Sequence, residues 1–242
     1  LWTAQFDKVD PWCNFGASLA VAGGRVFMLA HNGTVYRFDA KTGQSLTAGN
    51  GDGLWNLRWE GGPAKVEGKA AEPLRDYVRR TGMDLAGSPA AGVLVAGYRQ
   101  HDAVRWFDPK TGRQLGEAGV PEPVGVAVRP DGSALVISKG AVVAVTREGK
   151  KPAVVVPADR LESPWRVCVS PKTGEVFVAE NSDRAGSGTA ARHHQVKRFS
   201  TDGKLLGTFG RPGGREDGLY EPADFRGLTD IEADPVGGFV AT

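Results

Sequence analysis

Short runs of alternating apolar and polar residues recur along this chain, and each ends in a turn rich in glycine, proline or aspartate. Two clear runs centre on Val126 and Val167, and each leads through a Pro-and-Gly turn into a second apolar run, at residues 134–137 and 176–179. Because successive side chains of a strand point to opposite faces, a period of two predicts short, half-buried β-strands.

A longer phrase shows how these strands are grouped. It reads Val35-Tyr-Arg-Phe-Asp-Ala-Lys-Thr-Gly43, then Val104-Arg-Trp-Phe-Asp-Pro-Lys-Thr-Gly112, with a weak copy at 142–149 and a clear one at 196–203. Each copy closes a stretch of about four strands, which is the sequence pattern of a β-propeller.

The repeat therefore predicts an all-β fold, a β-propeller of four-stranded antiparallel blades. Residues 1–242 are expected to form a single but incomplete propeller domain of about four and a half blades, an excerpt of a longer protein. The predicted blades cover residues 17–50, 83–120, 123–160, 164–210 and a start near 228. Residues 51–82 interrupt the repeat and are interpreted as an insertion between the first and second blades.

Composition narrows the function classes. The 242 residues include 34 glycines and 15 prolines, as frequent tight turns require. Thirty basic and 28 acidic residues leave a net charge of +2 without charged blocks, which argues against a nucleic-acid partner. No apolar stretch is long enough to predict a membrane span. Cys168 sits in a predicted inner strand as a core thiol, and Cys13 in a loop, so a disulfide is not expected.

The repeats resemble known propeller families. Pro123-Val-Gly-Val-Ala-Val-Arg-Pro-Asp-Gly132, with Phe177-Val-Ala-Glu-Asn181 and Gln195-Val-Lys-Arg-Phe199, resembles the NHL-repeat propellers of the six-bladed SMP-30/gluconolactonase-like superfamily. A secondary likeness to quinoprotein-like repeats rests on the Lys-Thr-Gly phrases, although the tryptophan expected after each turn is absent, which argues against a bound quinone. The resemblance implies a bacterial type of protein and favours an extracytoplasmic place, secreted or periplasmic.

One face of the predicted propeller gathers the candidate chemistry. Loops joining second and third strands share this face with the blade-to-blade loops, and all four histidines map to the former. Imidazoles and carboxylates from several blades could hold zinc or calcium, whereas hairpin tips are polar by default, so these groups could equally be ordinary turn residues. The candidate metal ligands are Glu180, Asn181, His31, His101, His193 and His194.

The same face supplies candidate ligand-binding residues from its loops and junctions. These are Trp12, Arg99, Glu122, Glu162, Asp224, Phe225 and Arg226. Trp12, Trp165 and Phe225 flank the junction prolines and could supply a flat platform for a sugar or peptide. The place of Trp165 at the start of an inner strand favours core packing for it, and Trp106 is interpreted as a core residue of a third strand.

These observations leave three functions open. The first is a binding module that presents the loop face to a protein, small-molecule or glycan ligand. The alternative is a metal-dependent propeller enzyme of lactonase, hydrolase or lyase type, with calcium or zinc as the cofactor. The third is a scaffold beside a catalytic domain. The sequence contains no Gly-x-Ser-x-Gly elbow, phosphate-binding loop or Cys-x-x-Cys motif, and no catalytic residue can be named from it.

Overall fold

The computed structural model describes residues 18–29, 34–46, 55–57, 83–182, 194–214, 224–225, 227–234 and 236–241. In these ranges the chain forms four four-stranded sheets and one two-stranded sheet, and neighbouring strands are antiparallel and follow chain order. The predicted all-β propeller of four-stranded blades is thereby confirmed.

The strands of the first two blades are β1 to β8. Their bounds are Leu19–Ala22, Arg25–Leu29, Thr34–Asp39, Trp55–Asn56, Met83–Ser88, Val93–Tyr98, Ala103–Phe107 and Gln114–Gly119.

The remaining strands, β9 to β18, build the third blade, the fourth blade and the two-stranded fifth sheet. Their bounds are Pro123–Val128, Ala134–Ser138, Ala141–Val145, Ala153–Val156, Pro164–Val169, Val176–Glu180, Val196–Phe199, Leu205–Phe209, Ile231–Ala233 and Phe239–Ala241.

The first blade extends further than its predicted end at residue 50. Its outer strand is β4, in which Trp55 pairs with Val35 and Asn56 with Thr34. This strand lies within the segment 51–82 that we expected to be an insertion, and residues 58–82 lie outside the described ranges.

The repeated Lys-Thr-Gly phrase forms the turn after the third strand. The Asp39 carboxylate accepts hydrogen bonds from the backbone N–H of Lys41 and Thr42, at 3.0 and 2.8 Å, and Asp108 does the same in the next blade. These bonds lower the pKa of Asp39. Gly43 closes the turn at a positive φ of 72°, which glycine adopts without steric cost.

Apolar layers between neighbouring blades form the core. Phe27 and Leu94 lie in the layer between blades one and two, and Leu135 and Val167 lie in that between blades three and four. Trp106 is fully buried between blades two and three, as expected, and its indole N–H donates to Gly132 O at 2.9 Å. Each blade therefore depends on its neighbours for burial of its apolar faces.

Over the described part of the chain, none of the helices is long and apolar enough to cross a bilayer.

Candidate functional site

A cleft of about 210 Å³ opens between the third and fourth blades, on the face predicted to carry the ligand site. Second-to-third-strand loops and blade junctions both contribute to it, so these two kinds of loop do share a face. We call it the interblade cleft. Its lining residues are Arg99, Glu122, Val124, Ile137, Lys139, Gly140, Glu162, Ser163, Pro164 and Trp165.

The interblade cleft has an apolar floor and a charged rim. Ile137 is fully buried and Trp165 half-buried at the start of an inner strand. Four exposed charged residues form the rim of the cleft: the cations Arg99 and Lys139 and the carboxylates Glu122 and Glu162. Such a combination of apolar surface with a few polar groups is typical of recognition sites.

Backbone strain is concentrated beside this cleft. Among the described residues, the non-glycine positions with positive φ are Asp102, Glu122 and Lys139, at 49°, 46° and 48°. Asp102 stabilises its neighbour, because its carboxylate accepts a 2.7 Å hydrogen bond from the backbone N–H of Glu122. A non-glycine residue in this region costs of the order of 1–3 kcal/mol, and such residues cluster at binding sites. Glu122 and Lys139 are therefore held in defined positions on the rim.

In the second, third and fourth blades, the last residue of the second strand fixes the chain segment that precedes the blade. The register makes Tyr98, Ser138 and Glu180 equivalent, since they pair with Met83, Pro123 and Pro164 at the starts of the inner strands. Each side chain bonds to backbone. The Tyr98 hydroxyl donates to Leu57 O at 2.6 Å, the Ser138 hydroxyl donates to Pro121 O, and Glu180 accepts from the N–H of Glu162.

Glu180, a predicted metal ligand, is occupied by this structural role. It is fully buried, and its Oε1 accepts from the Glu162 N–H at 2.6 Å. Both of its carboxylate oxygens lie 3.2 Å from Lys197 Nζ, which also donates to Arg160 O at 3.0 Å. The buried ion pair thus holds residues 160–162, the junction that forms one wall of the interblade cleft.

Asn181, the second predicted ligand on this strand end, holds two junctions. Its backbone N–H donates to Ser163 O at 2.9 Å, and its side-chain amide donates to Leu228 O. It is buried. The amide therefore ties the entry of the fourth blade to the entry of the fifth sheet.

The predicted histidine metal site is only partly within the described residues. His101 and His194 lie between second and third strands as expected, and burial followed by the nearby charge of Arg105 lowers the pKa of His101. His194 is buried, and its Nδ1 accepts from the Gly227 N–H at 3.4 Å. His31 and His193 lie outside the described ranges.

In the part of the chain that is described, no three side chains of His, Cys, Asp or Glu lie close enough together to hold a metal ion. The calcium or zinc site therefore stays a prediction, to be tested by the metal content of the purified protein.

The ligand-binding candidates divide into two groups. Arg99, Glu122 and Glu162 meet in the interblade cleft. Asp224 and Phe225 lie elsewhere: Asp224 pairs with Arg211 at 3.0 Å, and the Phe225 ring packs 6.4 Å from that of Phe239 in β18. Trp12 and Arg226 lie outside the described ranges.

A polar ring surrounds the axis behind the cleft. Its members lie at the starts of inner strands: Ser18 directly precedes β1, Asp84 and Arg166 lie within β5 and β13, and Asp230 directly precedes β17. We call these four residues the axial ring.

Asp84 is the buried centre of the axial ring. Its carboxylate accepts from the Ser18 hydroxyl of the first blade and, at 2.9 Å, from the Val126 N–H of the third. Arg166 extends the contacts, with its guanidinium nitrogens 4.0 Å from Asp84 and 3.9 Å from Asp230. Burial and the neighbouring Asp84 carboxylate raise the pKa of Asp230. Polar contacts therefore connect all the described blades at the axis.

Trp165, for which the sequence favoured core packing over a platform on the loop face, is half-buried between the axial ring and the interblade cleft. The Arg166 guanidinium lies 4.5 Å from the centre of the indole ring, and the indole lines the interblade cleft. Sequence reasoning missed Lys139 and the axial ring as well. The available signal was a charged residue, Asp84 or Arg166, inside an otherwise apolar inner strand.

The family follows from sequence comparison. Residues 1–185 match the model of the family described as outer membrane protein assembly factor BamB. The chain belongs to this family. The NHL and SMP-30/gluconolactonase assignment is not confirmed. The two kinds of repeat share the alternating strands and Pro-and-Gly turns on which that expectation rested, whereas the secondary, quinoprotein-like resemblance agrees with the match.

Among the solved structures to which this chain is similar, one supports the propeller fold. The streptogramin B lyase structure aligns with a TM-score of 0.51 and 12% identity over 84% of this chain and 57% of the other. Kuenenia stuttgartiensis hydrazine synthase aligns with a TM-score of 0.45 and 21% identity, over 63% of this chain and 39% of the other. A protein of unknown function from Bacteroides caccae aligns with a TM-score of 0.47 and 14% identity, over 81% of this chain and 60% of the other. The chain thus spans 39–60% of the length of these structures. No curated protein matches its sequence.

Proposed function

We propose that this BamB-family chain is a protein-binding module that docks a segment of a partner protein in the interblade cleft. The observation that carries the proposal is the composition of the cleft, an apolar floor around Ile137 and Trp165 inside a rim of two cations and two carboxylates. An aromatic or aliphatic centre surrounded by polar groups is the usual anatomy of a protein interface.

The size of the cleft favours a protein partner over a small ligand. Sites for drug-sized molecules have volumes of roughly 300–1,000 Å³, and the interblade cleft has about 210 Å³. A sugar or cofactor would be left largely exposed there. A protein segment needs only one anchoring side chain in the cleft, while its flanking residues contact the surrounding loops.

The family description supports the same proposal. It names an assembly factor of the outer membrane, which is a role among proteins at an extracytoplasmic site. We therefore propose an extracytoplasmic location and a protein partner for this chain also. The structural neighbours are too distant in sequence to add a substrate or an activity.

A random peptide library displayed on phage tests the proposal. The protein is immobilised, and selected peptides are measured against it and against the variants Trp165→Leu and Lys172→Ala. Lys172 is exposed in the turn between β13 and β14, at the other end of the blade, so its variant is the matched control. We expect Trp165→Leu to weaken the peptides by about tenfold or more, with Lys172→Ala unchanged. Peptides that bind both variants as tightly as the original chain would contradict the proposal.

A further inference from the structure

We propose that the anchor received by the interblade cleft is a single aromatic side chain of the partner, preferably tyrosine, stacked against Trp165. This inference rests on the proposed function and adds the chemistry of the anchor. Three observations carry it: the size of the cleft, the support behind Trp165 and the charge balance of the rim.

The size of the interblade cleft limits the anchor to one large side chain. A volume of about 210 Å³ lies below that of sites enclosing a whole drug-sized molecule. The side chains that most often dominate binding energy from such a position are tryptophan, tyrosine and arginine. The remaining observations disfavour arginine, and the polar rim favours tyrosine over tryptophan.

Trp165 is a preorganised stacking surface. The Arg166 guanidinium lies over its ring at 4.5 Å, and Arg166 Nη1 donates to Trp165 O at 3.3 Å and to Val124 O at 3.4 Å. Gly125 packs beside them, since a Cβ there would lie 2.9 Å from Trp165 O. A ring fixed from behind loses little conformational entropy when a partner binds, and aromatic pairs add their own attraction.

The same contact disfavours arginine as the anchor. The indole π electrons already face one cation, Arg166, so a second cation would gain less attraction and would be repelled by the first. The rim also contains two further cations, Arg99 and Lys139.

The charge balance of the rim favours an uncharged anchor with a polar end. The rim carries two cations and two carboxylates, Glu122 and Glu162, so its charges balance in number and favour neither sign of charge on the anchor. The tyrosine hydroxyl both donates and accepts hydrogen bonds, whereas the tryptophan indole only donates one. Tyrosine can therefore bond to both the carboxylates and the cations of the rim. Leucine offers neither the ring nor the hydroxyl.

Three capped amino acids test the anchor on the unmodified protein. N-acetyl-tyrosinamide, N-acetyl-argininamide and N-acetyl-leucinamide are titrated while methyl NMR follows Ile137 on the floor of the cleft. We expect N-acetyl-tyrosinamide to shift the Ile137 δ-methyl signal saturably, with a dissociation constant of about 1 mM. The other two compounds should bind at least tenfold more weakly. Equal or tighter binding of N-acetyl-argininamide would overturn the inference.

Two variants locate the binding. Trp165→Leu should weaken N-acetyl-tyrosinamide at least tenfold, whereas Lys172→Ala should leave it unchanged, and the methyl spectrum of each variant reports whether it is folded. An Ile137 shift that persists in a folded Trp165→Leu variant would overturn the stacking. If Trp165→Leu does not fold, the comparison of the three compounds on the original chain still decides.

The outcomes also separate this inference from the proposed function. If peptides select the cleft but N-acetyl-tyrosinamide binds no better than N-acetyl-leucinamide, the aromatic anchor is wrong and protein docking stands. If N-acetyl-tyrosinamide binds at Trp165 but no protein contacts the cleft in cells, the proposed function is wrong and the aromatic preference of the cleft stands.

Discussion

The two walls of the interblade cleft are equivalent in the repeat, but different chemistry holds them. The wall before the third blade is fixed by a neutral hydroxyl and an exposed carboxylate, because the Ser138 hydroxyl donates to Pro121 O and the Asp102 carboxylate accepts from the Glu122 N–H. The wall before the fourth blade is fixed by a buried ion pair, in which Glu180 accepts from the Glu162 N–H and contacts Lys197.

This difference shows what a propeller repeat preserves. The end of the second strand keeps its place in the register and its task of binding the preceding junction, while the side chain changes from tyrosine to serine to glutamate. A neutral hydroxyl can be removed at modest cost, whereas a buried carboxylate depends on its cation. The two walls should therefore differ in their sensitivity to substitution.

The largest expected effect comes from removing the cation that pairs with Glu180 in the wall before the fourth blade. Lys197→Met leaves the fully buried Glu180 carboxylate without its ion-pair partner. We expect the free energy of unfolding to fall by about 3–5 kcal/mol, measured by urea denaturation. The double variant Glu180→Gln with Lys197→Met should lose less, because no charge then remains buried.

A matched control for this prediction is the more exposed pair of Arg105 and Glu117, 2.7 Å apart. Glu117→Gln should change stability by no more than about 1 kcal/mol. If Lys197→Met lowered the free energy of unfolding no more than Glu117→Gln does, the wall before the fourth blade would not depend on the ion pair of Glu180 and Lys197.

The next largest effect concerns Gly125, where the third and fourth blades pack against each other. A Cβ at Gly125 would lie 2.9 Å from Trp165 O and 3.2 Å from the Ile137 δ-methyl carbon, so Gly125→Ala forces the third and fourth blades apart. We expect a loss of about 1–3 kcal/mol and weaker binding of any ligand of the cleft. Gly119→Ala is the control, because nothing lies within 4 Å of a Cβ there. A similar loss of stability in both variants would show that close packing at Gly125 is not the cause.

Substitution of Ser138, in the wall before the third blade, should lower the free energy of unfolding less. Ser138→Ala removes the hydroxyl that donates to Pro121 O, and we expect a loss of about 1 kcal/mol in the same urea experiment. Ser133→Ala, in an exposed turn where the hydroxyl donates to Asp131 at 2.7 Å, should cost less. A loss for Ser138→Ala as large as that for Lys197→Met would remove the contrast between the walls.

The smallest effect concerns the pH dependence of the axial ring. Burial and Asp84 raise the pKa of Asp230 in the folded chain, so the folded state keeps a proton that the unfolded state has lost. The free energy of unfolding contributed by this group therefore falls as pH rises from its ordinary pKa of 3.8 through the raised value. Because the side chain is 58% exposed, we expect less than about 1 kcal/mol.

Asp230→Asn should flatten this part of the stability profile, measured as urea midpoints between pH 2 and 7, a range that covers both the raised pKa of Asp230 and the lowered pKa of Asp108. Asp108→Asn should act in the opposite direction, since hydrogen bonds from Thr111 and Lys110 lower the pKa of Asp108. If both variants shifted the profile in the same direction, the electrostatic description of the axial ring would be wrong.

The fold was predictable because the propeller repeats its turn chemistry. The Asp-x-Lys-Thr-Gly phrases and the alternating valines mark third and inner strands directly, and the predicted apolar runs at 134–137 and 176–179 lie within β10 and β14. The outer strand of the first blade was not predicted. Trp55–Asn56 pairs through backbone groups with β3, and a two-residue strand carries no periodic pattern.

The candidate site was predictable in part for a related reason. Loop position along the repeat places Arg99, Glu122 and Glu162 on one face, and they do meet in the cleft. The roles of Glu180 and Asn181 were not predictable, because whether a buried carboxylate holds a backbone N–H or a ligand depends on contacts 18 residues away in the chain. The axial ring was not predicted, because its contacts join residues of different blades that are far apart in the sequence.

Site-specific photo-crosslinking in the native cells shows whether a partner protein docks in the interblade cleft. A benzophenone amino acid replaces Lys139 on the rim of the interblade cleft or, as the control, Lys172 at the other end of the fourth blade. The account predicts that Lys139 crosslinks to one defined protein after illumination, that Trp165→Leu abolishes this crosslink, and that Lys172 does not form it. Crosslinking of the same protein from Lys172 alone, or none from Lys139 with folded protein present, would contradict the claim that the cleft docks a partner.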